Sequence, residues 1–374
     1  MQALADVQAA SRQGVCSTSY GISVCNTRKH GSRHAGQHAR GQNAQCRGAA
    51  CCIVMASSNL SDDYLGEWPA RKQVRSLAES IQTLGLGTWR LKGRVNGPFE
   101  MLAAVLEGTW RQCYELGLAL HPLPEDLKFV DSLDKDNHIG KWSYMDVPDP
   151  AKGEEGYPRM LIENRAYSTK VFRKLHIELA HRQDGLQVLH CVLYPRLEYD
   201  VPILSLDMVG NEAGGVSLAI VDVCPCVLEG HIPLAYREAA RQLQDQYKLQ
   251  NNRKIPEWGQ DIFSDMCVIL RPRDLEEVQR FMQYSNDLHR VYLHLASRVP
   301  PLTQQREGSK KMENVRAAHV RYCERQLENV KTSRVLQSAF GEDFAKRYMS
   351  EIMFDAPAPQ QQQQLQQEGV AVSP

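Results

Sequence analysis

Apolar residues recur at helical spacing near both ends of the chain's central region and alternate with polar residues in between. Residues 98–118 repeat apolar side chains every three or four positions, as at Phe99, Leu102 and Trp110, which is typical of a helix. The same spacing predicts three more helices, over residues 234–248, 274–296 and 308–331. Helical segments therefore flank a region with a different pattern.

Residues 157–223 form that region. Short runs rich in β-branched and apolar residues alternate with polar ones, and Gly, Asp or Asn separates the runs. The connections are too short to contain crossover helices, so we expect an antiparallel sheet. A helix, a sheet and then several helices predict an α/β fold, namely a three-layer α/β/α sandwich with a central antiparallel sheet.

One polar side chain, His190, lies in the middle of the apolar run LQVLHCVLY. A hairpin that turns at residues 183–185 would set Glu178 opposite His190 on the neighbouring strand. If Tyr194 pairs with Ile203 at the start of the following strand, Asp207 lies opposite His190 on the other side. The three side chains would then form one row on one face of the sheet.

A row of titratable groups on an apolar face has a different meaning from a single histidine. One histidine in a strand is ordinarily satisfied by a backbone carbonyl. Glu178, His190 and Asp207 together, with His176 one step along, would instead form a coupled set, because burial and neighbouring charges shift their pKa values in opposite directions. Such a set can donate protons to a molecule bound on the sheet. A metal site is a further chemical possibility.

The two ends of the chain differ from its centre. Residues 1–58 hold six basic residues and one acid and are rich in Ser, Gly, Ala and Gln, which favours an organelle transit peptide; a disordered basic tail is the alternative. Residues 59–97 are predicted to be a linker or N-terminal extension. Residues 356–374 form a Pro/Gln-rich tail that we expect to be disordered, and the turn-rich segment 134–156 is a possible insertion.

Charge and motif content exclude several classes. The chain has 44 basic and 44 acidic residues, so the part after residue 58 carries a net charge of about −5, which does not favour nucleic acid as a partner. No apolar stretch approaches the roughly 20 residues of a membrane-spanning helix. We find no G-x-G-x-x-G, P-loop or G-x-S-x-G motif, and no C-x-x-C pair after residue 58. The sequence therefore shows no Rossmann, P-loop, iron–sulfur or zinc-ribbon pattern.

Several long motifs resemble the ferredoxin-dependent bilin reductases. They run in order through the central region and its C-terminal end: RKLHIELA, VLHCVLYP, VPILSLDMVG, GGVSLAIVDVCP, IPEWGQDIFS and ENVKTSRVLQSAFGEDFAKRYMSEIMFD. The resemblance implies a bilin reductase domain over residues 98–355, with biliverdin between the sheet and the C-terminal helices. It also implies no flavin, metal or nicotinamide, and one-electron transfers from reduced ferredoxin through bilin radicals.

The resemblance also implies roles for single residues. Asp207 and His190 match the family's central proton-donating pair, Glu178 matches the carboxylate near the D-ring vinyl group, and His176 matches its histidine partner. Together, His190 and Glu178 point to the branch that reduces biliverdin IXα to phycocyanobilin. Substrate-binding positions are also implied, with propionate pairing for the first two: Arg253, Lys331, Ser217 and Asn329.

One position departs from the family pattern. Where the family usually reads Asn-Asp-Lys-Thr, this chain has Val330 as the second residue. Either Asp207 and His190 serve both ring systems, or A-ring reduction is impaired. The alternatives are a two-electron reductase giving a dihydrobiliverdin or phytochromobilin, and a non-catalytic bilin-binding protein.

Ferredoxin is the partner implied by the resemblance, and its acidity leads us to expect a basic rim near the bilin. The candidates for that rim are Arg253, Lys254, Arg271, Arg273, Lys310 and Lys311. The basic leader and the need for ferredoxin together predict the chloroplast stroma. The resemblance further implies a monomer, and the charge and hydropathy given above lead us to expect no nucleic-acid or membrane partner.

Overall fold

An antiparallel sheet of eight strands lies at the centre of the part of the chain that the structure describes. The structure is a computed structural model and describes residues 89, 97–132, 160–182, 184–211, 215–226 and 232–357. The strands are β1 (Ala119–Leu120), β2 (Phe129–Ser132), β3 (Met160–Ser168), β4 (Phe172–Arg182), β5 (Leu186–Pro195), β6 (Ile203–Asn211), β7 (Gly215–Cys224) and β8 (Val268–Leu270).

The order of the strands follows the chain from β3 to β8, and β1 and β2 share the free edge of β3. Consecutive antiparallel strands need only short turns, and the sequence supplies them. In the β4–β5 turn, Gly185 has a φ of 86°, a left-handed conformation that glycine adopts without steric cost. The side chain of Asp184 accepts a hydrogen bond from the backbone N–H of Leu186, which closes the turn.

Seven helices cover the sheet. They are α1 (Gly97–Gln112), α2 (Glu125–Lys128), α3 (Leu234–Tyr247), α4 (Leu275–Arg298), α5 (Gly308–Leu327), α6 (Val330–Phe340) and α7 (Glu342–Tyr348), and a π-helical turn, Met349–Met353, follows α7. This count covers only the described residues.

The two faces of the sheet pack against different helices. Residues such as Leu175, Leu189 and Leu206 pack with α1, α3 and α4 in the larger apolar core. Because strand side chains alternate between faces, their neighbours in the chain point the other way. Tyr194 and Ile203 pack in the second core with α5, α6 and α7, and we call this side the C-helix face. The predicted three-layer α/β/α sandwich is confirmed.

Two predicted helices are longer than the observed ones. The helix predicted over 98–118 ends at Gln112, and a separate 3₁₀ turn, Tyr114–Leu116, follows it. The helix predicted over 308–331 ends at Leu327. Apolar periodicity continues through both ends and does not report the break. The break after Leu327 coincides with Asn329, whose side chain accepts hydrogen bonds from the first backbone N–H groups of α6.

Some predicted segments lie outside the described residues. These are the leader 1–58, the segment 134–156 and nearly all of the tail 356–374. Within the range 59–97, Trp89 is buried, and its indole N–H donates to the Glu107 carboxylate at 3.0 Å. This residue therefore belongs to the packed structure.

Candidate active site

Four polar side chains lie side by side across four strands on the C-helix face. The register pairs Asn164 with Glu178, Glu178 with His190, and His190 with Asp207. The predicted pairing of the last three is confirmed. His176 lies two residues before Glu178 on β4, so it shares this face. The turn chemistry and the alternation of apolar residues thus bring four titratable groups together.

His190 and Asp207 form the central pair of the row. The Nδ1 atom of His190 lies 2.6 Å from Oδ1 of Asp207. Burial disfavours the charged imidazole, but the adjacent Asp207 carboxylate, with a further contribution from Glu178, raises the pKa of His190 above its ordinary value. Asp207 is not enclosed, since its side chain is 32% exposed while that of His190 is 3% exposed. The pair therefore joins a buried proton donor to the surface.

The second ring nitrogen of His190 is available for a ligand. Nε2 is buried and has no hydrogen-bond partner among the described residues. When His190 is protonated and Nδ1–H donates to Asp207, Nε2 carries the other proton. A buried N–H without a partner is costly, so a bound acceptor at this position would gain a strong hydrogen bond.

Glu178 and His176 respond oppositely to the same burial. Burial raises the pKa of Glu178, and the nearby His190 and the Tyr348 hydroxyl only partly offset it. Burial, together with the positive charge of Lys174, lowers the pKa of His176 well below its ordinary value. His176 is therefore neutral where His190 is charged, although the ring centroids lie only 5.7 Å apart. The difference between them is the Asp207 carboxylate.

A buried network joins Glu178 and His176 to α7. The Tyr348 hydroxyl lies 2.8 Å from Oε2 of Glu178 and 2.8 Å from Oδ1 of Asn164. Nε2 of His176 lies 2.9 Å from the same Asn164 oxygen. The Asn164 amide nitrogen donates to the carbonyl of Leu127 at 2.7 Å, which fixes the orientation of the amide.

The segment after α7 closes over the row. The ring of Phe354 meets the ring of His190 edge-on, with centroids 5.6 Å apart. The next residue, Asp355, forms salt bridges with Arg173 and with the buried amine of Lys174 on β4. Lys174 also donates to the Ile352 carbonyl at 2.8 Å. These contacts hold residues 352–355 against the sheet and exclude water from one side of His190.

Beyond the row, part of the C-helix face is not covered. Val188, Asp207, Val209 and Leu218 are half-buried although they lie on central strands. Val188 pairs with Val209 across β5 and β6, and Val209 pairs with Leu218 across β6 and β7, so they form a continuous strip. We call these four residues the open strip. An apolar strip that ends at a proton donor is suited to a flat, largely apolar ligand.

Arg253 lies beside β8 at the edge of the sheet, close in the chain to Ile255, which packs with Leu218 of the open strip. Side chains of Asn251 and Asn252 hydrogen-bond the backbone along β8, which fixes the chain just before Arg253. Ile255 then packs with Leu218 and other apolar residues. A cavity of about 660 Å³ adjoins this edge, and it is lined by Val216, Asn252, Arg253, Arg271, Pro272 and Arg273. Three of the candidate basic residues therefore cluster.

The other predicted substrate-binding residues are less central. The Ser217 hydroxyl donates to the Val209 carbonyl at 3.2 Å, next to the irregularity in the β6–β7 pairing. Asn329 caps α6 through the backbone N–H groups of Lys331 and Thr332. Lys331 is exposed on the first turn of that helix. No contact joins Ser217, Asn329 or Lys331 to the row among the described residues.

Sequence reasoning missed several members of the site. The face on which Asn164 lies could have been predicted, because β3 and β4 are joined by a turn as short as the one used for the prediction. Its partner could not: that turn alone would set Asn164 opposite His176, whereas the observed register sets it opposite Glu178. Tyr348 and Phe354 gave no such signal. They lie some 170 residues from the strands that they contact, and only the tertiary fold brings them there.

Within the described ranges, no group of three or more His, Cys, Asp or Glu side chains is arranged to hold a metal ion. No helix in the described part of the chain is both long enough and apolar enough to cross a membrane.

Fold and site together define a class of protein: an α/β/α sandwich with an acid–imidazole row beside an open strip on its central sheet. The family described as "Ferredoxin-dependent bilin reductase" matches residues 109–355, and the chain belongs to this family. It is therefore a ferredoxin-dependent bilin oxidoreductase by family, as predicted.

Named relatives agree with this assignment. The chain is 35% identical over 271 residues to the phycocyanobilin:ferredoxin oxidoreductase of Synechococcus sp., an alignment that covers 72% of this chain and 96% of the relative. It is 32% identical over 256 residues to the protein of the same name from Trichodesmium erythraeum, covering 68% and 92%.

A solved structure supports the fold. The crystal structure of SeMet-phytochromobilin synthase from tomato in complex with biliverdin matches with a TM-score of 0.53 and 17% identity, covering 69% of this chain and 82% of that one. At this identity the match concerns the fold alone.

Proposed function

We propose that this protein binds biliverdin IXα on the open strip and reduces it to phycocyanobilin with electrons from reduced ferredoxin. The observation that carries the proposal is the Glu178–His190–Asp207 row, which lies where the open strip begins. The relatives named phycocyanobilin:ferredoxin oxidoreductase support the choice of product. The net reaction adds four electrons and four protons to the bilin.

The proton steps are assigned to the row. The protonated His190 donates from Nε2 to the bound bilin, and the adjacent Asp207 carboxylate stabilises the imidazolium before the transfer. Because Asp207 is partly exposed, it connects the pair to solvent protons. Glu178, whose pKa is raised by burial, is the candidate donor to the D-ring vinyl group. His176 supports Glu178 through Asn164.

Each proton transfer is coupled to a single electron from ferredoxin, so the bilin passes through radical states. The protein's part is to hold the bilin against the row and keep water away, because radicals in contact with water undergo side reactions. Phe354 and the Asp355 contacts serve that purpose at His190.

Two propionate groups of biliverdin require cationic partners. Arg253 is the candidate that the packing supports, because Ile255, two residues further along the chain, packs with Leu218 of the open strip. Lys331, Ser217 and Asn329 stay predictions for substrate binding. Arg253, Arg271 and Arg273 also support a docking site for an acidic ferredoxin, whose association would weaken as salt is raised.

The test is anaerobic turnover. The purified protein is mixed with biliverdin, reduced ferredoxin and its reducing system, and the pigments are separated by chromatography. We expect the biliverdin absorbance to bleach and phycocyanobilin to accumulate. A protein that binds biliverdin tightly but returns it unchanged after electron supply would be a carrier, and that result would refute the proposal. Omitting ferredoxin is the control.

A two-electron reductase is the second candidate. Val330, which replaces the family's usual Asp, is the first residue of α6 and is 54% exposed, so no carboxylate acts from this position. If His190 and Asp207 do not serve the A ring as well, the reaction would stop at a dihydrobiliverdin or at phytochromobilin. The same chromatography separates these products from phycocyanobilin.

The cellular setting is proposed from the sequence. The basic, acid-poor residues 1–58 support import into the chloroplast stroma, where reduced ferredoxin is available. A fusion of these residues to a fluorescent protein should enter plastids, and the mature protein should begin near residue 58. We propose that it acts as a monomer, which sedimentation would test.

A further inference from the structure

The Tyr348 hydroxyl has two acceptors and one proton. It lies 2.8 Å from both Oε2 of Glu178 and Oδ1 of Asn164. Tyr348, Glu178 and Asn164 are all buried, so water does not substitute for any of these hydrogen bonds. A phenol donates one hydrogen bond and can accept another, so it serves one acceptor at a time.

The Asn164 amide is fixed from outside the row. Its nitrogen donates to the Leu127 carbonyl, which turns the oxygen toward Tyr348 and His176. An amide oxygen cannot donate, so the neutral His176 must carry its proton on Nε2 and donate it to Asn164. The Asn164 oxygen can accept a second hydrogen bond, because a carbonyl oxygen has two lone pairs.

Tyr348, Glu178 and Asn164 can therefore be hydrogen-bonded to one another in two ways. When Glu178 is ionised, the Tyr348 hydroxyl donates to it. When Glu178 is protonated, the carboxylic acid donates to the Tyr348 oxygen, and the hydroxyl turns to donate to Asn164. Tyr348 and the Glu178 and Asn164 oxygens that face it keep a hydrogen-bond partner in both arrangements, whereas Nδ1 of His176 has none in either, and the exchange needs only rotation of one hydroxyl group.

We propose that Tyr348 and Asn164 are a positioning pair that keeps Glu178 hydrogen-bonded as both a carboxylate and a carboxylic acid. Glu178 can then give up a proton and regain one without moving side chains, at every turnover. This inference deepens the proposed function and rests on the role that it gives to Glu178. Besides Tyr348 of α7, the titratable groups that face Glu178 are His190 of β5 and Asp207 of β6.

The pair predicts shifts of opposite sign. In Tyr348→Phe the ionised Glu178 loses a charge-assisted hydrogen bond and the protonated Glu178 loses a weaker neutral one. The titration midpoint of Glu178 should therefore rise by the difference between them, about one pH unit. Asn164→Ala removes the hydrogen bonds to His176 and Leu127 from both arrangements, but it removes the hydrogen bond that the Tyr348 hydroxyl donates to Asn164 from the protonated arrangement alone. The midpoint should therefore fall.

The midpoint can be read in the free protein. Infrared difference spectra across a pH titration show the carbonyl band of protonated Glu178, which is identified by its loss in Glu178→Gln. Tyr292→Phe is the matched control, because Tyr292 is equally buried but donates to the Pro202 carbonyl. That variant should leave the midpoint unchanged.

Three results would overturn the proposal. They are an unchanged midpoint in Tyr348→Phe, a shift of the same size in Tyr292→Phe, and the absence of any Glu178 carbonyl band while the protein stays folded. If Asn164→Ala fails to fold, the Tyr348→Phe result still decides. Because the infrared measurement needs no bilin or ferredoxin, a failed turnover assay would refute the proposed function and leave this measurement intact.

Discussion

Replacing Asp207 by Asn tests why the pKa values of the two histidines of the site are shifted in opposite directions. His176 and His190 share one face and one degree of burial, yet the pKa is lowered in the first and raised in the second. Only His190 lies against a carboxylate, at 2.6 Å. Asp207→Asn keeps the shape and an oxygen acceptor for Nδ1–H, and it removes only the charge.

The size of the effect follows from that contact. A hydrogen bond between charged partners contributes about 1.5–3 kcal/mol, and 1.36 kcal/mol corresponds to one pKa unit. The titration of His190 should therefore move down by about one to two pH units in Asp207→Asn. Burial, no longer opposed by the Asp207 charge, should favour the neutral imidazole of His190, as it does in His176. Turnover should fall by a factor of about 10²–10⁴, the usual contribution of a general acid.

Nuclear magnetic resonance of isotope-labelled histidine measures the titration directly. Biliverdin binding, followed by absorbance, should be retained. The raised pKa of His190 stabilises the fold fully below the unfolded value near 6.5, and this stabilisation is lost as pH rises through the folded pKa. The variant should therefore lose more stability at about pH 6 than at about pH 9.

A matched control comes from the β4–β5 hairpin, which carries His190. Asp184→Asn removes the exposed turn carboxylate that pairs with Arg182, and it should not change the His190 titration. If His190 titrates alike in wild type and Asp207→Asn, or if the variant turns over at the wild-type rate, the proton-donating pair is wrong.

Three further predictions concern stability. Burial lowers the pKa of His319 to about 3, so the unfolded state binds an extra proton as pH falls below about 6.5. His319→Leu should therefore lose less unfolding free energy on acidification, by about 1.4 kcal/mol per pH unit, in urea unfolding measured between about pH 5 and 6. The same dependence of unfolding free energy on pH in variant and wild type would contradict this. Gly308→Ala should lower the melting temperature strongly, because a Cβ there would lie 1.9 Å from the Leu302 carbonyl oxygen. Gly97→Ala is the control and should not lower it, because no atom lies within 4 Å of a Cβ at that position. Similar melting temperatures of the two variants would refute the clash. Asn329→Ala should lower the unfolding free energy by about 1 kcal/mol, because it removes the cap of α6. An unchanged unfolding free energy would contradict the capping role.

The Glu178–His190–Asp207 row shows how much of the site can be predicted from the alternation of apolar and polar residues and from the turns. Alternation assigned each strand residue to a face, and two short connections set the register, so the neighbours of His190 were predictable from the sequence. The face of Asn164 was predictable in the same way, but its partner Glu178 was not, because the β3–β4 turn alone would set Asn164 opposite His176. The helix ends were not predictable, because apolar periodicity continues across Gln112 and Leu327, and capping at Asn329 rather than hydrophobicity decides the second break.

The sequence by itself determined which residues share a face and a row, because β pairing obeys a period of two and short turns leave few registers. It also carried the family motifs. Only the tertiary structure decided which groups are buried and what covers them: Tyr348 under Glu178, Phe354 against His190, and Asp207 left partly open. These contacts join distant segments, and the pKa values of the row depend on them because burial and partner charge are properties of the packed molecule.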